Sequence, residues 1–354
     1  MVKEKVVIGM SGGVDSSVAA YLLKEQGYEV IGMTLEMWRD YPEVCEDGIE
    51  AAETAKILGI KHEIVNYKKE FESIVVDNFV SEYLCGRTPN PCVLCNRVAK
   101  WAALLAYADK IGAEYVATGH YANIIELPNK RYTVANAKFA AKDQTYVLSK
   151  LTQEQLRRTK MPLGAFESKD EVRAIAANLG LLAANKKDSQ DVCFIDEDDY
   201  SDFLKSRPGI VLPKPGNFVT KDGEVLGKHK GITHYTVGQR KGLGIALGVP
   251  AFVTEIRPET NEVVLGVGDD IFSDTLTCKD LNFVAVDEIP VGDTVNLVCR
   301  VRYHHNGEKC LVTRTDEETL FVKFEKPVRA VTPGQTAVFY DNNYVYAGGT
   351  IVGK

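Results

Sequence analysis

Short apolar runs of strand length, KVVIGM, YEVIGMTL and KHEIVNY, alternate along the first third of the chain with stretches whose apolar positions recur every three or four residues, at about 15–26 and in EDGIEAAETAKILG. That alternation predicts parallel strands joined by crossover helices, an α/β fold with a Rossmann-like sheet. A further helix is expected over NRVAKWAALLAYADKIG, where Val98, Trp101, Ala102 and Leu105 share a face, leading into a strand in AEYVATGHY. Helices are also predicted in TYVLSKLTQEQLRRT and SKDEVRAIAANLG, the second with Ser168 as N-cap and Glu171 in the capping-box position.

From Pro208 the grammar changes to short strands punctuated by glycine and proline, as in PGIVLPKPGNFV and KDGEVLGKH. VNLVCRVRYH, KCLVTRT, TLFVKFE and TAVFYDNNYVYAGGTIV then read as consecutive strands of a small β-barrel. Three units follow: an α/β domain over 1–205, a small β-rich domain over 206–275 and a C-terminal β-barrel over 276–354.

The chain has 354 residues, 45% hydrophobic and 26% charged, and no apolar run nears the ~20 residues of a membrane helix. MVKEKVVIGMSGG enters a strand without a signal-peptide apolar region, so a cytoplasmic location and no membrane partner are expected. Eight cysteines in this length do not make a secreted disulfide scaffold. Cys45, Cys85, Cys278, Cys299 and Cys310 stand alone and are expected as small buried hydrophobes. A net charge of -7 argues against broad nonspecific binding of nucleic acid and leaves room for a local basic patch.

SGGVDSS, residues 11–17, lies between a strand and a helix. Gly12 and Gly13 let backbone approach a ligand, and the helix start offers unpaired N–H groups to an anion. There is no Walker lysine and no G-x-G-x-x-G, which disfavours an ordinary P-loop ATPase or a dehydrogenase. The loop resembles that of the PP-loop ATP pyrophosphatases, which cleave ATP between the α and β phosphates and leave AMP on the oxygen to be displaced. The resemblance implies ATP and Mg²⁺, with Asp15 as the Mg²⁺-linked carboxylate and Ser11, Ser16, Ser17 and the loop amides on pyrophosphate.

Further stretches narrow the substrate: GRTPNPCVLCNR (86–97), ATGHYA (117–122), KDQTY (142–146), KKDSQDVCFI (186–195), TVGQRKGLGI (236–245) and TPGQTAVFY (332–340). In this order they make nearly the whole chain resemble the tRNA-specific 2-thiouridylases, the MnmA/TrmU family. The resemblance implies ATP-dependent thiolation at C2 of the wobble uridine in tRNAs for Lys, Glu and Gln. Adenylation would turn a poor leaving oxygen into AMP. Cys193 would carry a persulfide and Cys95 would act as nucleophile, able to close a disulfide with it, their thiolates favoured by Lys186 or Lys187. ATP would lie against Gly9, Met10, Ser11, Gly12, Gly13, Val14, Asp15, Ser16, Ser17 and Gly119, with Leu35 where the family usually has Met. The tRNA would meet Asn90, Pro91, His120, Lys142, Asp143, Gln144, Arg302, Tyr303 and Gln335, with Arg240 and Lys241 as added phosphate contacts. A flipped-out base is expected.

Two departures from the family pattern stand out. Cys92 replaces the Asp usually found three residues before the nucleophile, and Asp191 and Val192 replace Gly and Ile before Cys193. Cys92, Cys95 and Cys193 have the ligand count of a [4Fe-4S] cluster with one open iron, which is placed ahead of the persulfide route, while a Cys92–Cys95 disulfide and a neutral Asp-to-Cys exchange stay open. The sulfur source would be a cysteine desulfurase, a sulfur-carrier protein or sulfide. A paralogue thiolating another RNA base, a small-molecule synthetase and an idle tRNA-binding protein are the rival readings.

Overall fold

The computed structural model describes residues 3–38, 46–181, 192–195, 200–245 and 248–354. The N-terminal sheet is parallel, with β1 (Lys5–Gly9) between β2 (Glu29–Glu36) and β4 (Tyr115–Ala117), β3 (Lys61–Asn66) outside β2, and the two-residue β7 (Thr159–Lys160) outside β4. In register, Ile8 faces Gly32 on one side and Ala117 on the other, so β1 and β4 end together at the C-terminal edge while β2 runs on to Glu36. Ligands of open α/β sheets bind at that edge. Val6, Val7 and Ile8 are fully buried because helices cover both faces of β1. α1 (Val14–Glu25) and α2 (Glu46–Leu58) run where the apolar periodicity places them.

The expected long helix from 96 begins as a π-helical turn, Asn96–Lys100, before Trp101–Ile111 continues as α-helix. The helix expected over 145–159 is two short ones, Thr145–Leu148 and Gln153–Arg157, because Thr152 and Gln155 form a capping box that starts a new helix. Ser168 caps Lys169–Asn178 as expected, accepting from the Glu171 N–H.

The middle unit is a four-stranded sheet of β8 (Gly216–Val219), β9 (Val225–His229), β10 (Ala251–Arg257) and β11 (Glu262–Val267) in the order β10-β11-β8-β9. The C-terminal strands are β12 (Phe272–Phe283), β13 (Thr294–Arg300), β14 (Glu308–Arg314), β15 (Leu320–Arg329), β16 (Thr336–Asp341) and β17 (Tyr344–Gly353). They run in the order β12-β15-β14-β13-β16-β17, and pairing of β12 with β17 closes a six-stranded antiparallel barrel. Closure removes its edges.

The hairpin β5 (Asn123–Glu126) and β6 (Tyr132–Ala135) was not legible beforehand: it follows β4 of the α/β unit in sequence but pairs with β17. The α/β unit and the barrel also share a core in which Trp101, Tyr146 and Leu148 pack with Val338, Tyr340 and Val345. Asn282 donates to the carbonyls of Ser149 (3.1 Å) and Leu151 (3.2 Å), and buried Lys150 pairs with Asp280.

Candidate active site

The SGGVDSS loop turns from the sheet into α1 at the C-terminal edge. Gly12 has φ of +69°, open to glycine without strain. The Ser11 N–H donates to Ser16 Oγ (3.2 Å), and the hydroxyls of Ser16 and Ser17 donate to the Gly13 carbonyl at 3.1 and 2.9 Å. Met10 leaves β1 buried, its carbonyl accepting from Thr34 Oγ1 at 2.9 Å. Leu35, half-buried, follows on β2. At Gly119 a Cβ would lie 2.6 Å from the Ser16 nitrogen and 2.7 Å from the Asp15 carbonyl carbon, so two backbone segments touch there and only glycine fits.

Asp15, in the first turn of α1, accepts from the Tyr121 hydroxyl (2.8 Å) and from Lys169 Nζ at 2.7 and 2.6 Å. Lys169 and Tyr121 were missed in the sequence. A lysine in the first turn of the helix Lys169–Asn178 opposes the helix dipole, and that conflict was the available signal. The loop presents amides, hydroxyls and one carboxylate beside a cation. This oxygen donor set suits Mg²⁺ and a polyphosphate.

The second half of the site is the segment 86–100. Asn90 caps the helix Pro91–Cys95, its Oδ1 accepting from the Val93 N–H at 3.2 Å, and Pro91 occupies the first helical position. Cys92 is exposed and Cys95 buried, one turn apart. Cys95 packs into an aromatic cluster with Phe71, Phe79 and Phe194. Phe194 stacks edge-on with Trp38 (5.9 Å), Phe71 (5.7 Å) and Phe79 (5.2 Å), which brings its neighbour Cys193 to the same place.

The three thiols feel one another electrostatically. Burial pushes Cys92 and Cys95 up, and Cys193 is pushed up to about 12 by burial and then by the charges of Cys95 and Cys92. Cys92 and Cys193 nevertheless keep a solvent-facing side. The opposing cation is Lys100, at the end of the π-helical turn, which lowers all three thiols; its backbone N–H also donates to Cys95. Lys186 and Lys187, expected in that role, lie outside the described residues, as does Asp191. Among the described residues, no three His, Cys, Asp or Glu side chains stand close enough to hold a metal ion.

Most residues expected to meet RNA gather around this helix. His120, held by Thr118 (2.8 Å) and stacked near Trp101, is neutral, its value brought down to about 3 by burial and then by Lys100. Gln144 and Tyr121 exchange two hydrogen bonds, at 2.9 and 3.0 Å, tying the KDQTY turn to the ATP side. Tyr303 packs 6.0 Å from the Tyr146 ring and donates to the Asp143 carbonyl. Gln335 donates through Nε2 to the carbonyls of Thr88 (2.9 Å) and Pro89 (3.1 Å).

Asp143 itself is buried, its carboxylate accepting from Ala137, Thr145 and Arg300, so its side chain organises the turn. Lys142 is half-buried in the same turn, Arg302 donates to the Arg329 carbonyl, and Arg240 and Lys241 are exposed on the middle unit.

Of the cysteines expected in the interior, Cys278, Cys299 and Cys310 fill the barrel. Cys85 does not: it follows the helix Asp77–Leu84 at its C-terminus, where the chain turns out toward Gly86, and is exposed. Cys45 lies outside the described residues. No helix among the described residues is long and apolar enough to cross a membrane.

Comparison with known proteins gives three consecutive matches to family models, described as the tRNA methyl transferase HUP domain (4–197), the tRNA methyl transferase PRC-barrel domain (201–267) and the aminomethyltransferase β-barrel domain (273–351). The tRNA-specific 2-thiouridylase MnmA of Lachnoclostridium phytofermentans is 53% identical, over 99% of this chain and 99% of that protein. Those of Clostridium kluyveri and Clostridium perfringens are each 48% identical, over 98% and 99% of this chain and 99% of their own. The chain therefore belongs to the tRNA-specific 2-thiouridylase family.

Proposed function

We propose that this protein is an ATP-dependent tRNA sulfurtransferase that converts the C2 oxygen of the wobble uridine, in tRNAs of the Lys, Glu and Gln type, to sulfur. The observation that carries the reading is the convergence of two half-sites: a PP-loop at the end of the parallel sheet and, across Tyr121, Gln144 and His120, a cysteine helix facing Cys193. ATP would lie along residues 9–17 and Gly119, and Asp15, held by Lys169 and Tyr121, would be the carboxylate for Mg²⁺, which would offset the phosphate charge.

The uridine O2 attacks the α-phosphate, pyrophosphate leaves, and C2 then carries AMP as a leaving group. Cys193 brings the sulfur as a persulfide, received from a cysteine desulfurase or a carrier. The Cys95 thiolate attacks the Cys193 sulfur, a disulfide forms between them, and the released hydrosulfide adds to C2 and expels AMP. An external thiol then reduces the disulfide. Lys100 favours the Cys95 thiolate. Neutral His120 and Gln335 Oε1 offer hydrogen bonds to the base.

Cys92, in the place of the family's Asp, supports a second reading in which Cys92, Cys95 and Cys193 hold a [4Fe-4S] cluster. The described arrangement does not group three such ligands around one point, and no step here runs through a cluster. The test is protein purified without oxygen and assayed with unmodified tRNA, ATP and either desulfurase with cysteine or sulfide alone, with AMP, pyrophosphate and the position of 2-thiouridine measured. Thiolation at the wobble position with one AMP per sulfur, and no iron, is expected. About four irons per chain that vanish in Cys92→Ala would replace the persulfide route with the cluster. AMP release without tRNA would point to a small-molecule synthetase, and thiolation elsewhere to a paralogue acting on another base.

A further inference from the structure

The segment that leads into the cysteine helix has no strand or helix of its own to hold it, and all three units meet on it. On the middle unit, Thr88 donates to Thr236 Oγ1 (3.4 Å), and a Cβ on Gly86 would lie 2.8 Å from Ile256. On the barrel, the turn before β16 reaches in: the Thr88 N–H donates to the Pro333 carbonyl (2.9 Å), and Gln335 spends both amide hydrogens on the Thr88 and Pro89 carbonyls. Gly334 lies flat against the same peptide; at φ of +92° a Cβ would stand 2.8 to 2.9 Å from the Thr88 oxygen, carbon and nitrogen. Asn90, the next residue but one, is the N-cap that sets where the helix Pro91–Cys95 starts. A shift at Thr88 or Pro89 therefore passes directly to the direction of both thiols.

We infer that Gly334 and Gln335 are positioning residues for the sulfur chemistry: the C-terminal barrel aims the cysteine helix at Cys193, in addition to any contact it makes with RNA. The inference rests on the proposed function for its meaning, since it assigns the helix to sulfur transfer, but its geometry is independent of any ligand. Gln335→Met keeps the volume and removes both donors, leaving two carbonyls unpaired. Gly334→Ala keeps the donors and pushes the Thr88 peptide away.

The test is alkylation by iodoacetamide, resolved peptide by peptide by mass spectrometry, as a function of pH, with ATP binding measured on the same samples. Neither substrate is needed, so failure of this inference and failure of the proposed function are distinguishable. In Gln335→Met the Cys95 rate is expected to change about fivefold or more, with a displaced pH profile, while ATP affinity and the silence of Cys278 and Cys310 are kept. Gly334→Ala should displace the same profile. With tRNA and sulfur source added, Gly334→Ala, which keeps the Gln335 amide intact, should lose turnover more than apparent tRNA affinity. Profiles of Cys95 that superpose on the wild type in Gln335→Met overturn the inference. So does a Gln335→Met protein in which Cys278 and Cys310 react together with Cys95, because the barrel has then opened and the effect is not one of aim.

Discussion

At the scale of single residues, Gly119 and Lys100 carry the sharpest consequences. Gly119 is the point where the chain leaving β4 passes the PP-loop with no room for a methyl group, and the atoms it would strike are backbone, which cannot rotate away. Gly119→Ala should abolish nucleotide binding, read by the loss of ATP-dependent thermal stabilisation, while the barrel stays folded; normal stabilisation would show that the loop can yield. Lys100 acts through charge. Burial raises the Cys95 thiol above its ordinary value and Lys100 offsets part of that, so removing the ammonium raises the thiol further. Alkylation follows the thiolate, so in Lys100→Met the Cys95 rate should fall several-fold near pH 8 and recover as the pH rises above the wild-type midpoint. An unmoved profile would assign the thiolate to some other cation.

At the scale of elements, what was legible tracks which forces are local. Apolar periodicity, caps and the SGGVDSS turn are written within a dozen residues, and β1, α1, α2 and the Ser168 cap stand where those patterns put them. The π-helical turn 96–100 was not legible, because the apolar spacing of the same run of residues is that of an ordinary α-helix. The hairpin of β5 and β6 escaped for a similar reason: its partner β17 is some two hundred residues away. The site was legible as motifs but not as contacts, since the lysine that opposes the helix dipole in SKDEVR signals a partner without naming Asp15. The segment 192–195 shows how an element can carry chemistry through packing alone. Phe194 fills the aromatic cluster and so tethers Cys193 beside Cys95. Phe194→Ala removes about 3 to 5 kcal/mol of packing locally. Cys193, released from the surroundings that push it up to about 12, should alkylate faster at pH 8 while the Cys95–Cys193 disulfide forms more slowly under mild oxidation. Faster disulfide formation would mean that Phe194 holds the two apart.

At the scale of the whole molecule, the α/β unit and the barrel are one folding unit despite the distinct families their segments match. β6 of the first unit pairs with β17, Tyr146 donates from the α/β core to the Thr336 carbonyl (2.7 Å), and Arg300 of the barrel reaches the buried Asp143. The shared core mixes side chains from both, so cutting the chain between them exposes Trp101, Tyr146 and Leu148 along with a strand edge. A protein ending at residue 271 should therefore fail to fold independently. Each large side chain left in water forfeits about 1.5 to 3 kcal/mol, and three of them approach the whole stability of an ordinary domain. The expected result is an aggregating product, or one that binds a hydrophobic dye and shows no cooperative melting and no stabilisation by ATP. A monomeric fragment that melts cooperatively and binds ATP would show the shared core to be dispensable. Because the same interface sets Thr88 and Pro89 ahead of the cysteine helix, the first outcome also means that such a fragment loses the contacts that place Cys92 and Cys95.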